Sequence, residues 1–170
     1  MNMKKVLLLA TFLVSFSTFS QNLTSSQLLD LCDKSLGEVE EFLTANNWYF
    51  YQAAEETEEK YGNAKFVFDR PEFKMTDTAY FFSTYYYSHL NSAMAFELFF
   101  KDRKVYESYV EQLKNLNFKL TSSTTKGGNI IKVFKNGGKR VEVTIPPNSE
   151  EVNGFKFLFA KKSSYKKIRS

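Results

Sequence analysis

The sequence predicts an α+β fold: two helix–four-strand repeats forming one curved antiparallel sheet with the helices packed on one face. Three observations lead there. Two amphipathic stretches, with apolar residues three and four apart, each give way to aromatic or alternating segments. The order of one helical stretch and four strand candidates occurs twice. Asn136-Gly137-Gly138 between two of the candidates is a strong hairpin signal, because glycine takes positive φ without cost.

The first helical stretch carries Leu28, Cys32, Leu36, Val39 and Leu43 on one stripe. Two capping boxes compete for its start, Thr24 with Gln27 and Ser35 with Glu38. Gly37 weakens the middle, so the stretch reads as one long helix or two short ones. Glu38, Glu40 and Glu41 suit a helix N-terminus near Ser35 through the helix dipole. The period then changes at Trp48-Tyr49-Phe50-Tyr51, which is aromatic and β-prone. Residues 64–68, 79–87 and 93–100 continue as strand candidates, with the charged connection Glu55 to Lys60 between Tyr51 and the first of these. A second helix fits residues 102–116, with Asp102 as cap and Val105, Tyr109, Leu113 and Leu116 as the apolar stripe. Four more strand candidates follow at 118–122, 129–134, 139–145 and 155–160. In the third of these Val141, Val143 and Ile145 share one face, opposite Arg140, Glu142 and Thr144.

A faint repeat underlies this order. Val39-Glu40-Glu41-Phe42-Leu43 leads to Asn47-Trp48-Tyr49-Phe50, and seventy positions later Tyr109-Val110-Glu111-Gln112-Leu113 leads to Asn117-Phe118-Lys119-Leu120. In both, an amphipathic helix passes through an asparagine into an aromatic first strand. In element order, residues 35–160 resemble the tandem α/β repeats of β-lactamase inhibitory proteins. That resemblance implies an exposed sheet face able to bind a protein. It carries over no binding residue, and the paired cysteines of those inhibitors are absent here.

The N-terminus sets the compartment. Lys4-Lys5, the apolar run Val6 to Val14 and the small residues Ser15, Ser17, Thr18 and Ser20 read as a cleavable signal peptide of residues 1–20, cut before Gln21. The run is shorter than the roughly twenty residues of a membrane span. The expected location is therefore exported, periplasmic or extracellular. The whole chain also resembles small exported proteins of Bacteroidota, with their Ser-Phe-Ser-Gln-like signal-peptide ends. The remaining chain divides into a first helix-plus-sheet half (21–100), a second half (101–160) and a basic C-terminal tail (161–170) read as a frayed end. The single cysteine, Cys32, rules out an internal disulfide and reads as a buried small hydrophobe.

Charge is split between the halves. Residues 21–100 carry five Lys/Arg against thirteen Asp/Glu, and residues 101–170 carry sixteen against six. Such halves attract each other within one molecule or between copies. Lys119, Lys132, Lys135, Lys139, Arg140 and Lys156 suggest a basic outer face, which suits solvent or acidic envelope polymers. Export argues against nucleic acid as the partner.

The inventory of chemistry excludes most catalysis. His89 is the only histidine and falls at an expected turn. No close ligand pair marks a metal site, and no Gly-rich phosphate loop or nucleophile elbow is present. No cofactor is expected. Asp69, Glu72, Asp77 and Glu97 are scattered carboxylates. What remains is aromatic surface. If Trp48 and Phe50 face the helices, Tyr49 and Tyr51 face away. On the strand at 79–87, either Tyr80, Phe82 and Tyr86 or Phe81, Tyr85 and Tyr87 do the same. The expectation is a non-catalytic binding module that meets a protein partner in the cell envelope through Tyr49, Tyr51, Tyr85 and Tyr87. The alternatives are a self-associating structural envelope protein, hence a homo-oligomer, and a carboxylate-dependent hydrolase of an envelope polymer.

Overall fold

The computed structural model describes residues 23–74, 81–90, 92–147 and 154–169. Residues 1–20, read above as a signal peptide, the expected cleavage position before Gln21, Asp77 and Tyr80 lie outside the described residues.

The first helical stretch divides at the second capping box. Helix α1 spans Ser25–Leu31, where Thr24 and Gln27 form the capping box. Helix α2 spans Leu36–Ala45, where Ser35 and Glu38 repeat the device. Hydrogen bonds from Ser35 hold the Glu38 carboxyl below the usual range. Helix α3 spans Arg103–Asn115 and is capped by Asp102, whose carboxylate accepts from the amides of Lys104 and Val105. These caps satisfy amides that the first turn leaves without helical partners.

Eight strands follow the predicted order. They are β1 (Trp48–Ala54), β2 (Gly62–Phe68), β3 (Phe81–Ser88), β4 (Ala93–Phe100), β5 (Lys119–Lys126), β6 (Asn129–Asn136), β7 (Lys139–Ile145) and β8 (Phe155–Lys161). They form one open antiparallel sheet in the order β1-β2-β3-β4-β8-β7-β6-β5. Each half is a meander whose last strand is central, and β4 pairs with β8 from Ala95↔Ala160 to Phe100↔Phe155. No helix among the described residues is long and apolar enough to cross a membrane.

The repeat is written into the backbone. Asn47 and Asn117, seventy positions apart, both take the left-handed conformation, with φ of 62° and 59°. Asparagine tolerates that region, so each turns a helix end into the next strand. The first strand of each half then has a β-bulge at the matching place, between Phe50 and Gln52 in β1 and between Leu120 and Ser122 in β5. The predicted hairpin at Asn136-Gly137-Gly138 is present, with Gly137 at φ 49°.

One core spans both halves on the sheet face under α1, α2 and α3. Trp48, Phe66, Tyr85, Phe96, Phe100, Val141, Phe157 and Phe159 point into it from alternate strand positions. Phe100 sits at the seam, with ring centroids of Phe81, Tyr109, Phe155 and Phe157 at 5.7, 5.5, 6.0 and 5.6 Å. Tyr109 is buried and donates to the Leu23 carbonyl at 2.5 Å, which ties α3 to the segment before α1. Cys32 lies in the same core, its Sγ 3.3 and 3.2 Å from the carbonyls of Leu28 and Phe159. Burial pushes its thiol up to about 12. Thiol-reagent labelling of the native protein at pH 8 is therefore expected to be as slow as global opening, and to become rapid in denaturant.

The C-terminal segment corrects the reading of residues 161–170 as a frayed tail. Lys162–Arg169 forms helix α4. It packs on the face opposite α1–α3, with Tyr165 and Ile168 against Ala95, Leu158 and Ala160. The Ser164 hydroxyl accepts from the amide of Met94 at 3.2 Å, and Tyr61 donates to the Lys167 carbonyl at 2.9 Å. The basic outer face is corrected as well, because the side chains divide between the two faces. Lys139 reaches Asp30 of α1 at 3.8 Å, Lys161 pairs with Asp33, and Arg140 is buried against the carbonyls of Gly137 and Lys139. The acidic and basic halves thus meet within the molecule, through half-exposed pairs that each contribute little.

Candidate functional site

The face opposite α1–α3 alternates with the core. In the first half it carries Tyr49, Val67, Phe82, Thr84, Tyr86, Glu97 and Phe99, as the register of β1 to β4 requires. A second aromatic layer lies here. The ring of Tyr51 meets Phe73 edge-on at 5.1 Å, Phe73 meets Phe82 at 5.3 Å, and Phe82 lies 6.2 Å from Phe99. Val67 beneath this layer is completely buried.

The second half of the same face is hollowed into a groove of about 680 Å³. Its floor crosses five strands, through Thr124 of β5, Ile131 of β6, Thr144 of β7, Lys156 of β8 and Glu97 of β4, and Tyr165 and Arg169 of α4 form one wall. Four interstrand spacings make it roughly 19 Å long. The alternation that places Phe157, Phe159, Val141 and Val143 in the core sends Glu142, Thr144 and Lys156 outward.

Glu142 fixes the wall. Its carboxylate accepts a hydrogen bond from the Tyr165 hydroxyl at 2.6 Å on one oxygen and from Arg169 at 2.6 Å on the other. Burial and the Glu142 carboxylate push the Tyr165 phenol up to about 12. Glu97 faces the same hollow. Leu158 is the strand partner of both Glu97 and Glu142, so their Cα atoms lie two strand spacings, about 10 Å, apart. Among the described residues Glu97 makes no hydrogen bond or ion pair. Burial raises its pKa, against Lys156, Arg169 and Lys65 on neighbouring elements and with Glu142.

The folded chain holds the Glu97 proton more tightly than the unfolded chain does. Ionisation therefore costs stability above the raised pKa and nothing below the unfolded value of 4.5. Glu97→Gln is expected to raise Tm at pH 7 by roughly 2–4 °C, the shift that about 1 kcal/mol gives in a chain of this size. The gain should vanish as a thermal-melt series descends below about pH 4.

The tyrosines singled out by sequence divide. Tyr49 and Tyr51 lie on the face opposite the core helices and are half-buried, Tyr51 in the bulge and under Phe73. Tyr85 is 1% exposed and points into the core, which corrects its assignment to an outward face. Its pairing with Phe96 and Ala64 sets that side, and its hydroxyl donates to the Lys34 carbonyl at 2.6 Å between α1 and α2. Tyr87 shares the side, so its assignment is corrected too. Its ring lies against Gly62, where a Cβ would clash, and stacks on Tyr85 at 6.3 Å. Tyr85, Tyr87, Leu36 and Met94 line a smaller hollow of about 400 Å³ at the end of α2, with His89 at its edge. Among the described residues no group of three or more His, Cys, Asp or Glu is placed to hold a metal ion.

Glu142, Tyr165 and Arg169 were missed by sequence as members of one site. The available signal was the spacing of Tyr165 and Ile168 in an otherwise basic end, which gives one apolar stripe on a helix. Comparison with family models, with curated proteins and with solved structures finds no match, so the functional reading rests on this chain's own residues.

Proposed function

We propose that the protein is an exported, non-catalytic binding module that recognises a protein partner across the sheet face opposite α1–α3. The observation that carries this reading is the groove. It is open, lined by polar side chains from five strands and walled by a helix, while the opposite face is filled by core. Tyr49 and Tyr51 lie at the far end of the same face, where a partner crossing the sheet would meet them. The Lys4-Lys5 start and the apolar run to Val14 support export.

The test is site-specific photo-crosslinking in cells of the source organism. A photoreactive residue at Thr124, in the groove, is expected to capture one discrete envelope protein. The same residue at Glu107, exposed on α3, is expected to capture none. Capture from Glu107 alone refutes the reading. A monomer at both low and high salt separates it from self-association.

The Glu97–Glu142 pair favours a second reading, a hydrolase of an envelope polymer, because two carboxylates in different settings share one hollow. Glu142 has both oxygens engaged by the wall, so binding is the better-supported reading. Hydrolysis of an envelope polymer that disappears in Glu97→Gln would reverse that order.

A further inference from the structure

Resting on the binding reading above, we infer that the hollow at Glu97 receives a basic side chain of the partner, with the Glu97 carboxylate as its counter-ion and Tyr86 and Tyr61 as ring walls. A second cavity of about 400 Å³ lies on the first-half side of α4, lined by Tyr61, Asn63, Tyr86, Glu97, Leu158 and Arg169. Glu97 and Arg169 line this cavity and the long groove alike, so an extended segment in the groove can drop a side chain beside Glu97.

Three features select a cation. The first is a carboxylate without a direct partner, on which Lys156, Arg169 and Lys65 act only from beyond ion-pair distance. Arg169 is committed to Glu142 at 2.6 Å, and among the described residues no cation lies within ion-pair distance of Glu97. A half-buried carboxylate without a direct partner gains from an incoming donor, and it offers up to four acceptor positions. The second is the ring pair. The Tyr86 phenol is pushed up to about 12 by burial and by the nearby Glu97 charge, so the two groups share one environment. Aromatic faces beside a carboxylate favour ammonium or guanidinium groups. Tyr61 is held in position by its bond to the Lys167 carbonyl. The third is the surroundings. Thr84 and Leu158, the partners of Glu97 on the neighbouring strands, and Ala95, two residues before it, carry no charge. At the rim, Glu59 and Lys60 carry opposite charges and favour neither sign.

The test uses the full mature chain and two capped alanine pentapeptides, one with a central arginine and one with the neutral isostere citrulline. In a backbone-amide NMR titration the arginine peptide is expected to shift Tyr86 and Glu97 saturably, and the citrulline peptide to leave them in place. Glu97→Gln is expected to weaken arginine-peptide binding by about tenfold or more, while Glu58→Gln, at an exposed position, leaves it unchanged. Equal binding of the two peptides, equal binding by Glu97→Gln, or no saturable shift at Tyr86 and Glu97 overturns the inference. The crosslink from Thr124 separates this failure from failure of the binding reading. Undiminished capture in Glu97→Gln leaves that reading standing and removes this site, whereas no capture in the unmodified chain removes the reading itself.

Discussion

Phe100→Ala is expected to destabilise the protein by about 3–5 kcal/mol, and to do so in both halves at once. Phe100 has no exposed surface and touches rings from β3, α3 and β8, so its removal opens a cavity where the two meanders join. For a chain of this length that is a fall in Tm of roughly 10 °C or more. Urea unfolding followed by Trp48 fluorescence reports the first half, and hydrogen exchange at Val141 and Val143 reports the second. Coincident shifts are expected, because one core spans the seam. A shift confined to one half would mean two independently folding units.

Glu142→Ala is expected to release α4. The substitution leaves the Tyr165 hydroxyl and the Arg169 guanidinium without their acceptor. Because the Arg169 side chain is 44% exposed, its charge regains water, and the expected cost is about 1–2 kcal/mol rather than that of a fully buried pair. The larger effect is local. Amides of residues 164–168 should lose their exchange protection while those of β7 and β8 keep theirs. The groove then loses its wall, and partner capture from Thr124 should fall. Glu142→Gln keeps one acceptor for Tyr165 and should give a smaller loss of both.

The fold was largely legible because its signals are local. Thr24, Ser35 and Asp102 cap the helices they were expected to cap, and each capping box acts within one turn. Asn47 and Asn117 mark the same left-handed corner in both halves, which gives the faint repeat a physical basis. Gly137 turns the predicted hairpin. The facing of β3 was not legible. Alternation fixes that Phe82 and Tyr86 oppose Tyr85 and Tyr87, but only pairing with Phe66 and Phe96 decides which set is buried. Helix α4 was hidden for another reason. An eight-residue basic helix has little stability alone and forms here because Ala95, Leu158 and Ala160 receive Tyr165 and Ile168. The candidate site was the least legible part. Glu97 and Glu142 stand forty-five positions apart and meet only across β8.

Backbone-amide NMR of the protein bound to its crosslinked partner reads out recognition on the face bordered by α4. Shifts are expected to gather at Thr124, Ile131, Thr144 and Lys156 and to leave α2 and α3 unchanged. Shifts that gather on α2 and α3, with Ile131 and Thr144 unmoved, would put the partner on the opposite face and overturn the proposed binding surface.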